Sequence, residues 1–204
     1  MPRLVLASRN KGKLAELKAL LAGLPWQISS LEDFPEVPAV EEDGASFREN
    51  ALKKALVVAT TLRMWALADD SGLEVDYLNG APGVLSARFA GEHGDDAKNN
   101  EKLLALLAGV PWTQRTARFR SVLAFVSPDG DAWTTEGTCE GIIALAPRGT
   151  AGFGYDPLFY LPEYGLTMAE LPAEKKNQIS HRAVAIRKFR AYLEHEFPGT
   201  TARD

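Results

Sequence analysis

Cysteine is nearly absent from this chain: its 204 residues include the single Cys139, and histidine occurs only three times. One thiol excludes an internal disulfide framework and a cysteine-rich zinc site. Long apolar runs are missing as well. No stretch approaches the roughly 18 apolar residues of a membrane span, and the opening Met1-Pro2-Arg3-Leu4-Val5-Leu6 run is too short for a secretory signal. The expected location is therefore cytoplasmic, with no membrane partner. Nor is positive charge in excess. Lys and Arg number 23 against 27 Asp and Glu, a net charge of −4, which argues against a nucleic-acid partner while leaving room for a local basic pocket. Internal repeats and low-complexity segments are also lacking. What is present is a 46% hydrophobic composition, enough to bury a core as one domain or two closely packed lobes.

The most informative stretch is Ala68-Asp69-Asp70-Ser71-Gly72-Leu73-Glu74-Val75-Asp76. The apolar run from Met64 to Ala68 reads as a buried strand that delivers two adjacent carboxylates, a hydroxyl and a glycine into a turn. Chemistry in α/β folds gathers at the carboxyl ends of strands, where loops are held by a rigid sheet yet open to solvent. Neighbouring acids repel, so this pair needs a cation, a shared proton or free solvent. An acidic turn that only caps the next segment is the plainer interpretation of Asp-Asp-Ser-Gly taken alone.

Upstream, Arg3 to Ala7 is β-prone, and Ser8-Arg9-Asn10-Lys11-Gly12-Lys13 separates it from a helical pattern at Leu14, Leu17 and Leu21 that ends near Gly23. This order places loop N–H groups and a helix N-terminus beside Arg9, Lys11 and Lys13, an arrangement suited to phosphates. The G-x-x-x-x-G-K-S/T spacing of a P-loop is absent. Leu31 to Gly44 is Pro-rich and acidic, an irregular loop. Ser46-Phe47-Arg48-Glu49 has capping-box form and predicts a helix burying Phe47, Ala51, Ala55 and Val58, with Asn50, Lys53 and Lys54 extending from its first turns.

Further on, Asn79 to Gly83 is dense in turn formers, and Asp95 or Asp96 caps a helix whose Leu103, Leu104, Leu106 and Leu107 read as core. Ala117 to Phe125 and Trp133 to Thr138 read as two antiparallel strands around Pro128-Asp129-Gly130. Gly149, Gly152 and Gly154 then bracket Phe153. Glycines at that density permit close backbone approach to a ligand, and Phe153 between two of them offers a ring face to a base. Ser180 predicts a last helix that buries Ala185, Phe189, Tyr192 and Leu193. Its first turn carries His181 and Arg182 beside Lys175 and Lys176, where cations oppose the helix dipole unless an anion or acceptor lies nearby.

Five would-be loops thus supply what a nucleoside triphosphate needs, and their motifs, taken in order, resemble those of the non-canonical purine nucleoside triphosphate pyrophosphatases, the inosine triphosphatase family. The match runs through Ser8-x-Asn10-x-Gly12-Lys13 with Glu16, Phe47-x-Glu49-Asn50-Ala51-x-x-Lys54-Ala55, Ala68-Asp69-Asp70-Ser71-Gly72-Leu73, Gly80-Ala81-Pro82-Gly83, Gly152-Phe153-Gly154-Tyr155-Asp156-Pro157 and Ile179-Ser180-His181-Arg182. The resemblance implies an α/β fold with an elongated mixed β-sheet flanked by helices, two lobes around a central cleft, residues 1–204 as a single domain, and a homodimer. It also implies a reaction: magnesium-dependent hydrolysis of inosine, deoxyinosine or xanthosine triphosphate (ITP, dITP, XTP) to the monophosphate and pyrophosphate, which cleanses the nucleotide pool.

By position, the resemblance makes Asp70 the general base and a Mg2+ carboxylate and Glu41 the second metal carboxylate. Ser8, Arg9, Asn10, Lys11, Gly12, Lys13, Ser71 and Lys176 become phosphate and substrate contacts, and Phe153, Gly154, Tyr155, Asp156, His181 and Arg182 the base-recognition residues. The chain has Glu42-Asp43-Gly44 where the family often has Glu-Thr-Gly, so the metal-ligating acid within Glu41-Glu42-Asp43 stays open. Hypoxanthine and xanthine present an acceptor at position 6 where adenine presents a donor, and donors at that edge would select between them. Two other classes remain open at this point: a pyrophosphatase of the septum-inhibitor type, and a nucleotide-binding module without catalysis.

Overall fold

The computed structural model describes residues 1–198. Its first strand, β1 (Arg3–Leu6), forms where Leu4, Val5 and Leu6 follow one another, all of them buried. A strand apolar on consecutive positions is covered on both faces, as central parallel strands are. β1 pairs in parallel with β2 (Gln27–Ser30) on one side and with β3 (Trp65–Val75) on the other. Parallel neighbours need crossovers, and these contain α1 (Lys11–Leu20) and α2 (Phe47–Leu62). With β4 (Thr116–Val126), β5 (Ala132–Ile143), β6 (Phe159–Leu161) and β7 (Leu166–Thr167), the order is β2-β1-β3-β4-β5-β6-β7, and the β5-β6 and β6-β7 pairs are antiparallel. The sheet is therefore mixed. The remaining α-helices among the described residues are α3 (Asp96–Leu106), α4 (Ala173–Ile179) and α5 (His181–Glu196).

The chain divides into two compact units. The first comprises residues 1–70, 121–137 and, within the described part, 182–198. Its core joins Leu4 and Leu6 of β1, Leu17 of α1, Leu67 of β3, Leu123 and Phe125 of β4 and Ala185, Ile186, Phe189 and Leu193 of α5. Trp65 stacks on Phe125 at 4.8 Å between ring centroids. The second comprises residues 71–120 and 138–181, with a core that includes Leu73, Leu103, Leu107, Phe119, Tyr155 and Phe159. Inside it the buried Arg115 donates to the carbonyl oxygens of Leu107, Ile143 and Ala144 at 2.8, 2.7 and 2.9 Å. Gly141 is required here by close approach, because a Cβ would lie 2.6 Å from the Phe159 ring and 2.7 Å from the Tyr160 carbonyl oxygen.

Several sequence expectations meet the fold directly. Ser46 caps α2, its Oγ accepting the Glu49 N–H at 3.2 Å, and Phe47, Ala51, Ala55 and Val58 are buried. The reciprocal bond differs, since the Glu49 carboxylate accepts the N–H of Ala45. Asp95 caps α3, whereas Leu106, read as core, is half exposed. The larger correction concerns β3. It does not stop at Ala68 but runs through Asp69, Asp70, Ser71 and Gly72 to Val75, so the two acids stand inside a strand rather than in a turn. Among the described residues no helix is long and apolar enough to cross a membrane.

Candidate active site

Because successive residues of a strand point to opposite faces, Asp69 and Asp70 enter different surroundings, and no shared proton is needed. Asp69 Oδ2 pairs with Lys13 Nζ at 2.6 Å and Arg182 Nε at 3.1 Å, and its Oδ1 accepts the Ser121 hydroxyl at 2.6 Å. Burial by itself would raise its pKa; Lys13 and Arg182, with the hydrogen bonds, overcome that and hold it well below the usual carboxylate range. A second carboxylate, Glu16 of α1, takes Arg182 Nη1 at 3.2 Å. Asp69 is thus anionic at neutral pH and unsuited to exchanging a proton there.

Asp70 is the opposite case. Burial pushes its pKa up, and although Lys54 at 3.1 Å pulls it down, the negative charge of Glu42 adds to the rise. Lys54 Nζ lies between the two acids, 2.6 Å from Glu42 Oε1, and also donates to the Asp69 carbonyl at 2.9 Å. Asn50, one helical turn before Lys54, accepts the Gly44 N–H at 2.8 Å and so ties the acidic loop to α2. Side chains four apart on a helix share a face, which is how α2 brings the loop and Lys54 to Asp70.

The basic strand-to-helix loop is shorter than expected: only Ser8, Arg9 and Asn10 form it, and Lys11, Gly12 and Lys13 already make the first turn of α1. Asn10 caps α1, accepting the Lys13 N–H at 3.1 Å, and Ser8 Oγ accepts the Asn10 N–H at 3.1 Å. Lys11 is exposed, 3.8 Å from Glu32, and Arg9 donates to the Val37 carbonyl at 3.5 Å. Gly12 sits in the first turn, where a Cβ would be 3.1 Å from Asn10 Oδ1. Glu41 is exposed, while its neighbour Glu42 is half-buried. Glu42 is therefore the acid of this loop that the structure brings to Asp70. Ser71 follows in β3, half-buried.

In the second unit, Phe153 is 61% exposed at the tip of the glycine-rich segment. Its N–H donates to Asp156 Oδ2, which also pairs with Lys176, and the Lys176 ammonium stands 5.0 Å from the Phe153 ring centroid. Tyr155 is buried and its hydroxyl donates to the Ser86 carbonyl at 2.7 Å, burial pushing its pKa up. Gly154 adopts φ +61°, a left-handed conformation that glycine takes without strain. His181 stacks on Phe119 at 5.0 Å between centroids. Phe153, Asp156 and Lys176 are brought together by these contacts; the guanidinium of Arg182 instead engages Asp69 and Glu16.

The profile of the Ham1 family matches residues 4–192. The chain belongs to the Ham1 family. A dITP/XTP pyrophosphatase of Geobacter sulfurreducens is 56% identical over 193 residues, spanning 95% of this chain and 97% of that protein. One of Desulforamulus reducens is 59% identical over 186 residues, 91% of this chain and 92% of its own. Among solved structures, a HAM1 protein from Coxiella burnetii matches with a TM-score of 0.90 at 42% identity, covering 96% of this chain and 100% of that one. Against this Ham1 framework, residues the sequence left without a role are Asp69, Ser121 and Lys54. The i, i+4 spacing of Asn50 and Lys54 was a usable signal for the last; nothing local marked Ser121.

Among the described residues, no group of three or more His, Cys, Asp and Glu is arranged to hold a metal ion. Mg2+ does not require one. It is commonly held by one or two carboxylates together with substrate phosphates, and Asp70 with Glu42, hard oxygen donors on either side of a bound ammonium, fit that pattern.

Proposed function

We propose that the protein hydrolyses non-canonical purine nucleoside triphosphates, dITP, ITP and XTP, to the monophosphate and pyrophosphate, and so clears them from the nucleotide pool. The observation that carries this reading is the division of labour between adjacent acids. Asp69 is locked as an anion that orients Lys13, and Asp70 is buried with a raised pKa beside Lys54 and Glu42. In the proposed reaction a water oxygen bonds to the α-phosphorus and gives its proton to Asp70. The bond from that phosphorus to the α,β-bridging oxygen breaks, and its electron pair leaves with pyrophosphate. Lys13 and the α1 N-terminus stabilise charge on the phosphoryl oxygens. Asp70 and Glu42 would hold Mg2+, which when bound neutralises phosphate charge and makes nearby water more acidic; Glu42 replaces Glu41 in this assignment because it is the residue beside Lys54.

The exposed Phe153 ring, its loop and His181 are assigned to the purine, and Ser8 to Lys13, Ser71 and Lys176 to the phosphates. Arg182, committed to two carboxylates, is assigned to orienting Asp69 and Lys13 rather than to the base. A homodimer in the cytoplasm completes the reading. The test is pyrophosphate release across ITP, dITP, XTP, ATP and GTP, with Asp70→Asn alongside. The wild type should prefer the first three, and loss of a general base should lower kcat by about a hundredfold to ten-thousandfold. Asp70→Asn activity within tenfold of wild type would remove Asp70 from the base role, and equal rates on all five nucleotides would sink the substrate assignment.

A further inference from the structure

An aromatic ring that is 61% exposed has little packing to hold it, so apart from the Lys176 ammonium over its face the pose of Phe153 is set by its backbone. Within the loop, Phe153 N–H donates to Asp156 Oδ2 at 3.1 Å and Asp156 N–H returns to the Phe153 carbonyl at 3.3 Å. Two further bonds come from a helix that the sequence marks only as core. Gly154 N–H donates to Asp96 Oδ2 at 2.7 Å, and Asn100 Nδ2 donates to the Gly154 carbonyl at 2.8 Å. Asp96 and Asn100 are four apart on α3 and share a face, and together they fix the peptide planes on both sides of Gly154.

The platform that supplies these bonds is rigid. α3 buries Leu103 in the core of its unit, and Asn99, 2% exposed, accepts the Ala90 N–H at 2.7 Å. The second hydrogen of the Asn100 amide goes to the Asp96 carbonyl at 2.7 Å. Both partners are acceptors, which fixes the amide orientation, and Asn100 Oδ1 is left buried without a hydrogen bond. A buried acceptor without a partner is destabilising, so fold stability alone gives poor reason for asparagine at this position. Holding the Gly154 carbonyl gives a better one.

We propose that Asp96 and Asn100 are positioning residues for purine binding: from the first two turns of α3 they clamp Gly154 and thereby pre-organise the Phe153 ring for the base. The inference rests on the assignment of Phe153 to the purine. Loss of the clamp lets the loop sample other conformations, and the cost of ordering it falls on binding. The effect belongs in KM more than in kcat, because neither residue is assigned to the reacting phosphate.

The experiment compares full-length Asp96→Ala, Asp96→Asn, Asn100→Leu and Phe153→Ala in steady-state hydrolysis of ITP, with Gly154 amide exchange followed by NMR. Asp96→Ala removes a hydrogen bond to a charged acceptor and should speed Gly154 exchange by about tenfold or more. It should raise KM by about threefold to tenfold with kcat within about twofold. Asp96→Asn, which keeps an oxygen facing the Gly154 N–H, should recover most of both. Asn100→Leu removes the buried acceptor along with the donors, so it should raise KM while leaving Tm near wild type. Phe153→Ala separates the two levels of the argument. An unchanged KM in that variant overturns the base assignment and the inference with it; a raised KM there with unchanged KM in Asp96→Ala and Asn100→Leu overturns the clamp alone. A fall in Tm with kcat and KM moving in proportion would assign both residues to structure only.

Discussion

Two neighbouring aspartates with opposite electrostatic fates make opposite stability predictions. Asp69 has a depressed native pKa, so it contributes stability that is fully present above its unfolded value near 3.9 and is lost as pH falls toward the native value. Asp69→Asn should therefore flatten the acid limb of stability below about pH 4. At neutral pH it should cost about 3 kcal/mol, the low end for a broken buried pair, because Arg182 keeps Glu16. Asp70 has a raised pKa, so its ionised form opposes folding as pH rises through that value. In metal-free buffer at neutral pH, Asp70→Asn should thus match or exceed the wild-type Tm while losing activity. Thermal unfolding of both variants from pH 3 to 8 checks the pair, and equal losses of stability at neutral pH would contradict the division between them. Cys139 offers a separate residue-level check. Burial pushes its thiol to about 11, so native protein at pH 8 should label far more slowly with a thiol reagent than protein unfolded in denaturant.

At the scale of elements, α2 carries the site's most legible features. Its cap, its buried face and the two polar residues that reach the acidic loop and Asp70 can all be placed from spacing. Ser46→Ala removes the Oγ that accepts the Glu49 N–H and should cost about 1 kcal/mol in urea unfolding. Ser46→Asp should retain most of that stability, since aspartate caps and also suits the helix dipole; a loss as large as that of alanine would rule out capping as the cause. β3 was misread for a physical reason. Asp, Ser and Gly are poor strand formers, and only tertiary partners make a strand of Asp-Asp-Ser-Gly tolerable. Those partners are remote: Arg182 lies 113 residues from Asp69 and 166 from Glu16, so no local window contains the network. The basic segment from Ser8 to Lys13 and the Phe153 segment are visible as motifs because each is contiguous. β2 and α4 went unread because four and seven residues give too little periodicity to stand out.

At the scale of the whole molecule, the two units are interleaved in sequence. The chain passes between them at Asp70/Ser71, Arg120/Ser121, Gly137/Thr138 and His181/Arg182, and the first three of these boundaries lie inside β3, β4 and β5. Neither unit is a contiguous piece of chain. The core of the first unit takes Leu4, Leu6, Leu17, Leu21, Trp26 and Leu67 from residues before the first boundary, and Leu123, Phe125, Ala185, Ile186, Phe189 and Leu193 from beyond it. A fragment of residues 1–70 therefore retains half of the buried side chains of that core. It also loses Arg182 and Ser121, leaving Asp69 with Lys13 as its only partner among the three described above. Each large apolar side chain left without its packing partners forfeits about 1.5–3 kcal/mol of burial, and several such losses exceed the 5–15 kcal/mol by which a domain is stable. We propose that residues 1–204 constitute one domain in which neither unit folds independently. The fragment should be unfolded by near-UV circular dichroism and by amide chemical-shift dispersion, whereas the full chain should give a single unfolding transition. A fragment of residues 1–70 with dispersed amide signals and a cooperative melt of its own would show that this segment folds without the rest of its unit and that the single-domain assignment is wrong.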